Sequence, residues 1–161
     1  MSRLFLIAAA LALAAFAPGP APRGVADPRA FVASVYADYA RAANAPPAEP
    51  VHAYSPRLSA LFAAYDRWAR AHDDLVGSLD FDWWVDAQDW EIHGVSVRQA
   101  PGGGANRRTI LASWTNYGRA ERSRFLFVRI GRRWYLDDVV NGSGREPDGW
   151  TLSALLRARP S

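Results

Sequence analysis

The chain has 161 residues, a formal net charge of +3, 50% hydrophobic residues and 22% charged ones, the profile of one ordinary globular domain rather than a fibrous or disordered chain. It contains no cysteine, which excludes disulfide staples, thiolate zinc and iron-sulfur sites, thiol catalysis and lipid anchoring through a cysteine. Every one of its 19 basic residues is arginine.

The first 26 residues read as a secretory signal peptide: Arg3 gives a positive start, Leu4 to Ala17 is an apolar run, and Pro18 to Pro22 ends it. The run is too short to span a bilayer comfortably. Ala15 and Ala17 satisfy the small-residue rule for cleavage, but Pro18 would obstruct the cut, so Gly24 and Ala26 fit better. A cut after Ala26 removes Arg3 and Arg23, lowers the charge from +3 to +1 and leaves residues 27–161 as one domain. The expected location is therefore periplasmic or secreted, with no stable membrane anchor after cleavage.

Asp27 and Pro28 suit the cap and first position of a helix, and Phe31, Val32, Val35, Tyr36 and Tyr39 recur at helical spacing to about Asn44. Three prolines between Ala45 and Pro50 stop it. Ser55 and Pro56 open a second helix with Leu58, Leu61, Phe62, Tyr65 and Trp68 on one side, fading near Asp73. From Glu91 the period changes to two, giving strands at His93–Gln99, Arg108–Asn116, Ser123–Ile130 and Trp134–Val140 joined by turn-like connectors. A last short helix is expected from about Thr151 to Arg159. The class is α+β: two N-terminal helices packed on a curved antiparallel sheet of about four strands.

Both faces of that sheet are apolar in sequence. Phe125 and Phe127 point one way, Leu126, Val128 and Ile130 the other, and Ile110 and Trp114 oppose Leu111 in the preceding strand. Two helices cover one face, so the other must line a cavity or meet a partner. Trp114, Phe125, Phe127 and Trp134 are the candidate ligand-binding residues.

Charge is segregated. Residues 66–91 hold eight acids against Arg67 and Arg70, while residues 98–133 hold nine arginines against Glu121. The simplest expectation is that the two blocks pair; the sharper one is an anion site for lipid headgroups, acidic glycans or nucleic acid. Nucleic acid is the weakest of these, because the processed chain is nearly neutral and exported.

The run Asp80 to Trp90 packs four aspartates and three tryptophans into eleven residues. Asp80, Asp82 and Glu91 take the first, third and twelfth places of a calcium loop, but Trp84 and Val85 stand where a polar ligand and glycine belong, so no metal or cofactor is expected. The structural alternative is that these aspartates fix turns and the tryptophans fill a seam. For acid-base chemistry the weak candidates are Asp86 and Asp89 beside a tryptophan wall, Asp138 on the last strand, and His93 or Tyr54 as a proton-handling partner. His52, His72 and His93 lack the spacing of a helical metal pair, and no nucleophile elbow is present.

Tyr54 to Phe62 (YSPRLSALF), Leu79 to Trp90 (LDFDWWVDAQDW), Arg133 to Val140 (RWYLDDVV) and Leu152 to Leu156 (LSALL) together resemble the bacterial domain of unknown function 3828 family, over about Phe31 to Leu156. The most specific part is Tyr54, Ser55, Pro56, Arg57 and Leu58 with Asp80, Phe81, Asp82, Asp86, Ala87, Gln88 and Asp89. The resemblance implies a small exported protein of the cone-shaped nuclear transport factor 2-like fold, a fold that hosts isomerases and dehydratases as well as non-catalytic binding modules. No catalytic set carries over to these positions. Two functional classes follow: a non-catalytic binding module for an unidentified small molecule or protein, or for a second copy of the chain through the sheet, and a small isomerase- or hydrolase-like enzyme using a pocket aspartate.

Overall fold

The two N-terminal helices begin where proline and a capping oxygen coincide. In the computed structural model, which describes residues 23–42, 45–72, 77–142 and 149–158, α1 spans Pro28–Arg41 and the Asp27 carboxylate accepts from the backbone N–H of Arg29 and Ala30. α2 spans Pro56–Ala71, and Ser55 Oγ accepts from Leu58 N at 3.0 Å. Each cap satisfies N–H groups that the first helical turn leaves unpaired, and each proline sits where its missing N–H costs nothing. α1 stops three residues short of Asn44, which lies outside the described residues, as does the Asp73 terminus expected for α2.

Four antiparallel strands follow in the order of the chain: β1 (Ile92–Gln99), β2 (Arg107–Asn116), β3 (Arg119–Ile130) and β4 (Arg133–Asn141). β3 begins four residues earlier than the apolar alternation predicts. Tyr117 and Gly118 both take positive φ, 46° and 78°, the two-residue hairpin geometry whose twist matches that of the flanking strands. The ladder therefore runs on through Arg119–Arg122, where no hydrophobic pattern marks it. α3 is a single turn, Leu152–Leu155, shorter than the Thr151 to Arg159 helix expected, and Arg159 lies outside the described residues. Bulges between His93 and Ser96 and between Leu126 and Phe127 bend their strands and sharpen the twist.

The core lies between one sheet face and the helices. Ile110, Trp114, Phe125, Phe127, Leu136 and Val139 project from the sheet against Val32, Tyr36 and Tyr39 of α1, Leu58 of α2 and the Trp83–Trp84–Val85 segment. Trp84 stacks on Phe125 at 5.0 Å, and the Tyr36 ring tilts onto Trp114 at 4.9 Å. Fully burying a large apolar side chain contributes about 1.5–3 kcal/mol, so this aromatic seam carries the domain without disulfides.

The two sheet edges differ. β4 is covered along its length: Val25 pairs with Trp134, Tyr54 with Leu136 and Thr151 with Val140. Val25 N donates to Trp134 O at 2.8 Å and Trp134 N returns a bond at 2.9 Å. Gly24 beside it is buried at positive φ, where a Cβ would strike Tyr135 and the Trp134 carbonyl. Residues 1–22 of the expected leader lie outside the described residues, but Gly24 and Val25 are built into the domain, so a chain starting at Asp27 lacks this edge cover. β1 is the open edge; its bulge and Arg98 break up the flat template that an unpaired strand offers. Among the described residues no helix is long and apolar enough to cross a membrane.

Candidate functional site: the open sheet face

The Asp80–Trp90 segment closes on itself and anchors to α1. Asp82 and Ala87 exchange backbone hydrogen bonds, and Asp82 Oδ1 accepts from Trp84 N at 3.0 Å. Tyr39 Oη donates to Asp82 Oδ2 at 2.6 Å, and Tyr36 Oη donates to the Trp84 carbonyl at 2.7 Å. Both Asp82 oxygens are thus occupied by donors from the chain itself. Asp86 takes a left-handed backbone, φ 56°, and accepts from Trp150 Nε1 at 2.7 Å. The bond from Trp84 N is the side-chain to backbone bond by which aspartate fixes turns, while those from Tyr39 and Trp150 tie the turn to other parts of the chain. Burial raises the carboxyl groups of Asp82 and Asp86 above the usual range, opposed for Asp82 by Tyr39 and for Asp86 by Trp150. Burial likewise pushes Glu49, whose Oε1 accepts from Trp84 Nε1, up to about 7.

The structure does not gather the sequence's acid-base candidates into one site. Asp138 is buried and fully engaged: Oδ1 accepts from Ser153 N and Val139 N, and Oδ2 accepts from Ser153 Oγ at 2.6 Å and faces Arg57 Nη2 at 3.3 Å. It ties α3 and the start of α2 to β4 rather than facing an apolar cone. His93 is exposed on β1, 3.0 Å from Glu91, while Asp138 is on β4 at the opposite edge, about 14 Å across three strand spacings and further away still because the register offsets the two along the strands. Asp89 is exposed. Tyr54 is 2% exposed and stacked on Phe62, and its hydroxyl has no hydrogen-bond partner. Sealed in this way, it has no route to exchange protons with a substrate.

The ligand-binding candidates are also relocated. Trp114, Phe125, Phe127 and Trp134 are 2%, 0%, 1% and 6% exposed and belong to the core. The helix-facing side is the one that holds the largest rings, because the wide seam between helix and sheet needs their volume. Trp134 closes one end of it beneath the Arg108 guanidinium, 4.3 Å from the ring, a cation-π contact.

The face left open is the opposite one. Leu111, Leu126, Val128 and Val140 are half-buried there, in the register Leu111–Arg124–Val140 and Thr109–Leu126. Arg98 flanks Leu111 from β1 while Arg124 flanks it from β3, and Ser96, Ser113 and Arg122 form the neighbouring row. Together they border a hollow of about 300 Å³, with Gly142 at one side. Side chains two apart on one strand share a face, so Arg122 and Arg124 lie side by side.

Among the described residues no acid forms an ion pair with Arg98, Arg122 or Arg124. Of the nine between residues 98 and 133, Arg119 alone has an ion pair among the described residues, with Glu121 at 2.9 Å. Arg57, outside that block, takes Asp137 and Asp138. The expectation that the acidic and basic blocks pair is therefore corrected: among the described residues no ion pair joins the two blocks, and Asp82 and Asp86 serve the Asp80–Trp90 turn instead. Arg124 Nε is enclosed without any hydrogen-bond partner, and burying a charged donor unpaired is costly. Sequence reasoning singled out the arginine block but not this trio; its signal was the alternation Arg122, Arg124, Leu126, Val128 on the face of β3 opposite Phe125 and Phe127.

Compared with protein-family models, curated proteins and solved structures, the chain has no match.

Proposed function

We propose that this chain is an exported, non-catalytic binding module that engages its ligand or partner on the open face of the sheet. One observation carries the reading: on the open face Arg124 lies amid Leu111, Leu126 and Val140, with Arg98 and Arg122 beside it, and none of the three arginines has an ion pair among the described residues. The hollow is at the small end of the range for small-molecule sites. A second copy joined by a two-fold axis through this face would set arginine against arginine, so a ligand or partner of opposite charge fits it better. Export rests on the leader-type N-terminus.

The resemblance to the domain of unknown function 3828 family and to the cone-shaped nuclear transport factor 2-like fold is part of the same proposal. The two bulges, which bend their strands, support the cone. The test is a native mass spectrum of the chain purified gently from its own host, beside Leu126→Glu. Extra mass lost on unfolding and absent from the Leu126→Glu protein is the expected result. A bare monomer in both would refute the reading.

A further inference from the structure

We infer that the hollow bordered by Arg98, Arg122 and Arg124 is an oxyanion site for a phosphoryl or sulfuryl group carried on a larger, partly apolar body. The inference rests on the binding-module reading and names the chemistry of what is bound. Three guanidinium groups surround one hollow, and each offers a planar fork that pairs with oxyanions. A carboxylate has two oxygens and one charge, too few for three forks. A phosphate monoester or sulfate ester presents three terminal oxygens that three forks can share. The Arg124 side chain borders the hollow with no ion pair among the described residues, its Nε enclosed by the chain itself. Ser96 and Ser113 add hydroxyls at the rim.

The volume argues for more than a bare ion. A hollow of about 300 Å³ exceeds what one tetrahedral anion fills, and Leu111 in its wall is continued beyond Arg124 by Leu126 and Val140 on the same face. The ligand's charged end meets the arginines while its apolar part lies along that strip, which is the amphiphilic pattern of an esterified oxyanion.

The test uses the full chain, titrated at constant ionic strength with inorganic phosphate and separately with acetate, binding being followed through arginine Nε–H resonances. The triple variant Arg98→Gln/Arg122→Gln/Arg124→Gln is compared with Arg29→Gln/Arg67→Gln/Arg132→Gln, which removes equal charge from exposed positions elsewhere. Phosphate should bind saturably, at least roughly tenfold more weakly to the first variant and unchanged to the second, and acetate should trail phosphate by a similar factor. Thermal unfolding should show the first variant still folded, because it breaks no ion pair. Phosphatidylcholine vesicles with and without phosphatidic acid then separate the sources. Recruitment by phosphatidic acid that depends on the trio identifies a lipid headgroup, whereas phosphate binding without recruitment identifies a free ester. Equal binding by both variants, or by phosphate and acetate, overturns the inference. If the native mass spectrum shows a passenger that lacks phosphorus and sulfur and persists in the first variant, the binding-module reading survives and the oxyanion site falls.

Discussion

Asp138→Asn separates a structural carboxylate from a catalytic one. The residue is 9% exposed, and its two oxygens receive the Ser153 and Val139 N–H groups, the Ser153 hydroxyl and one arm of Arg57. Asparagine keeps one oxygen for the two backbone donors but turns an NH2 toward Ser153 Oγ and Arg57. The serine hydroxyl can rotate and accept; the guanidinium cannot. Hydrogen bonds to a charged acceptor contribute about 1.5–3 kcal/mol and neutral ones about 0.5–1.5 kcal/mol. Downgrading the Ser153 pair and losing the long Arg57 contact, less the relief of a desolvated charge, costs about 2 kcal/mol. Asp138→Ala, which also strands the buried Ser153 N–H, costs about 4 kcal/mol. Urea unfolding followed by tryptophan fluorescence measures both, and the midpoint temperature of the Asn variant should fall by about 4–8 °C. An Asn variant as stable as the parent, or more so, would refute this account. It would mean that the charge is held at a cost to stability, as active-site charges often are, and would restore Asp138 as an acid with a chemical task.

Four further outcomes follow from the same geometry. A chain starting at Asp27 should be about 2 kcal/mol less stable in urea than one starting at Arg23, since it loses the Val25–Trp134 pair and two donors to the His52 carbonyl; equal stability would show that the edge cover contributes nothing. Stability should fall as pH rises from about 4.5 to about 7, because folded Glu49 keeps its proton up to about 7 while the unfolded chain releases it near 4.5, and Glu49→Gln should flatten that slope. Glu49 as a residue stays exposed even though its carboxyl lies against Trp84, so solvent screening makes the slope shallower than the full shift implies; a slope equal in parent and variant would assign it elsewhere. Tyr39→Phe removes the donor to Asp82 Oδ2 and should cost about 1–2 kcal/mol in the same unfolding assay, with no loss placing the anchor of the turn on other contacts. Arg122→Gln should change stability by less than about 0.5 kcal/mol in either direction, and a larger drop would reveal a partner for that guanidinium.

Much of the fold was legible because its signals are local. Asp27–Pro28 and Ser55–Pro56 mark the helix starts by cap chemistry alone, and the coordinates place both caps where the sequence puts them. The strands between glycine turns announce themselves by alternation. What escaped was non-local. Arg119–Arg122 has Ala120 as its one apolar residue, so only its pairing with Ser113–Asn116 makes it strand. Gly24 and Val25 look like the tail of a leader, and only the β4 edge reveals them as part of the sheet.

The candidate site was half legible, for a reason rooted in volume and charge. Alternation correctly gives two apolar faces but does not say which one the helices take. Ring size does: Trp114, Phe125 and Phe127 fill a seam that must also hold Tyr36 and Trp84, whereas Leu111, Leu126 and Val140 suit a thin strip that arginine stems can partly shade. Proximity in sequence likewise suggests that the acidic and basic blocks neutralise each other, yet the acids have nearer obligations. Asp82 holds Tyr39 and the Trp84 amide, Asp86 holds Trp150, and Asp138 holds Ser153. The Asp82 and Asp86 bonds lie in the helix layer, which the sheet separates from Arg98, Arg122 and Arg124, while Asp138, opposite Leu126 in the register, is taken up at the β4 edge by Ser153 and Arg57. The segregation of charge along the chain thus becomes a segregation across the sheet, and it leaves a cationic, half-apolar face with no counter-charge among the described residues.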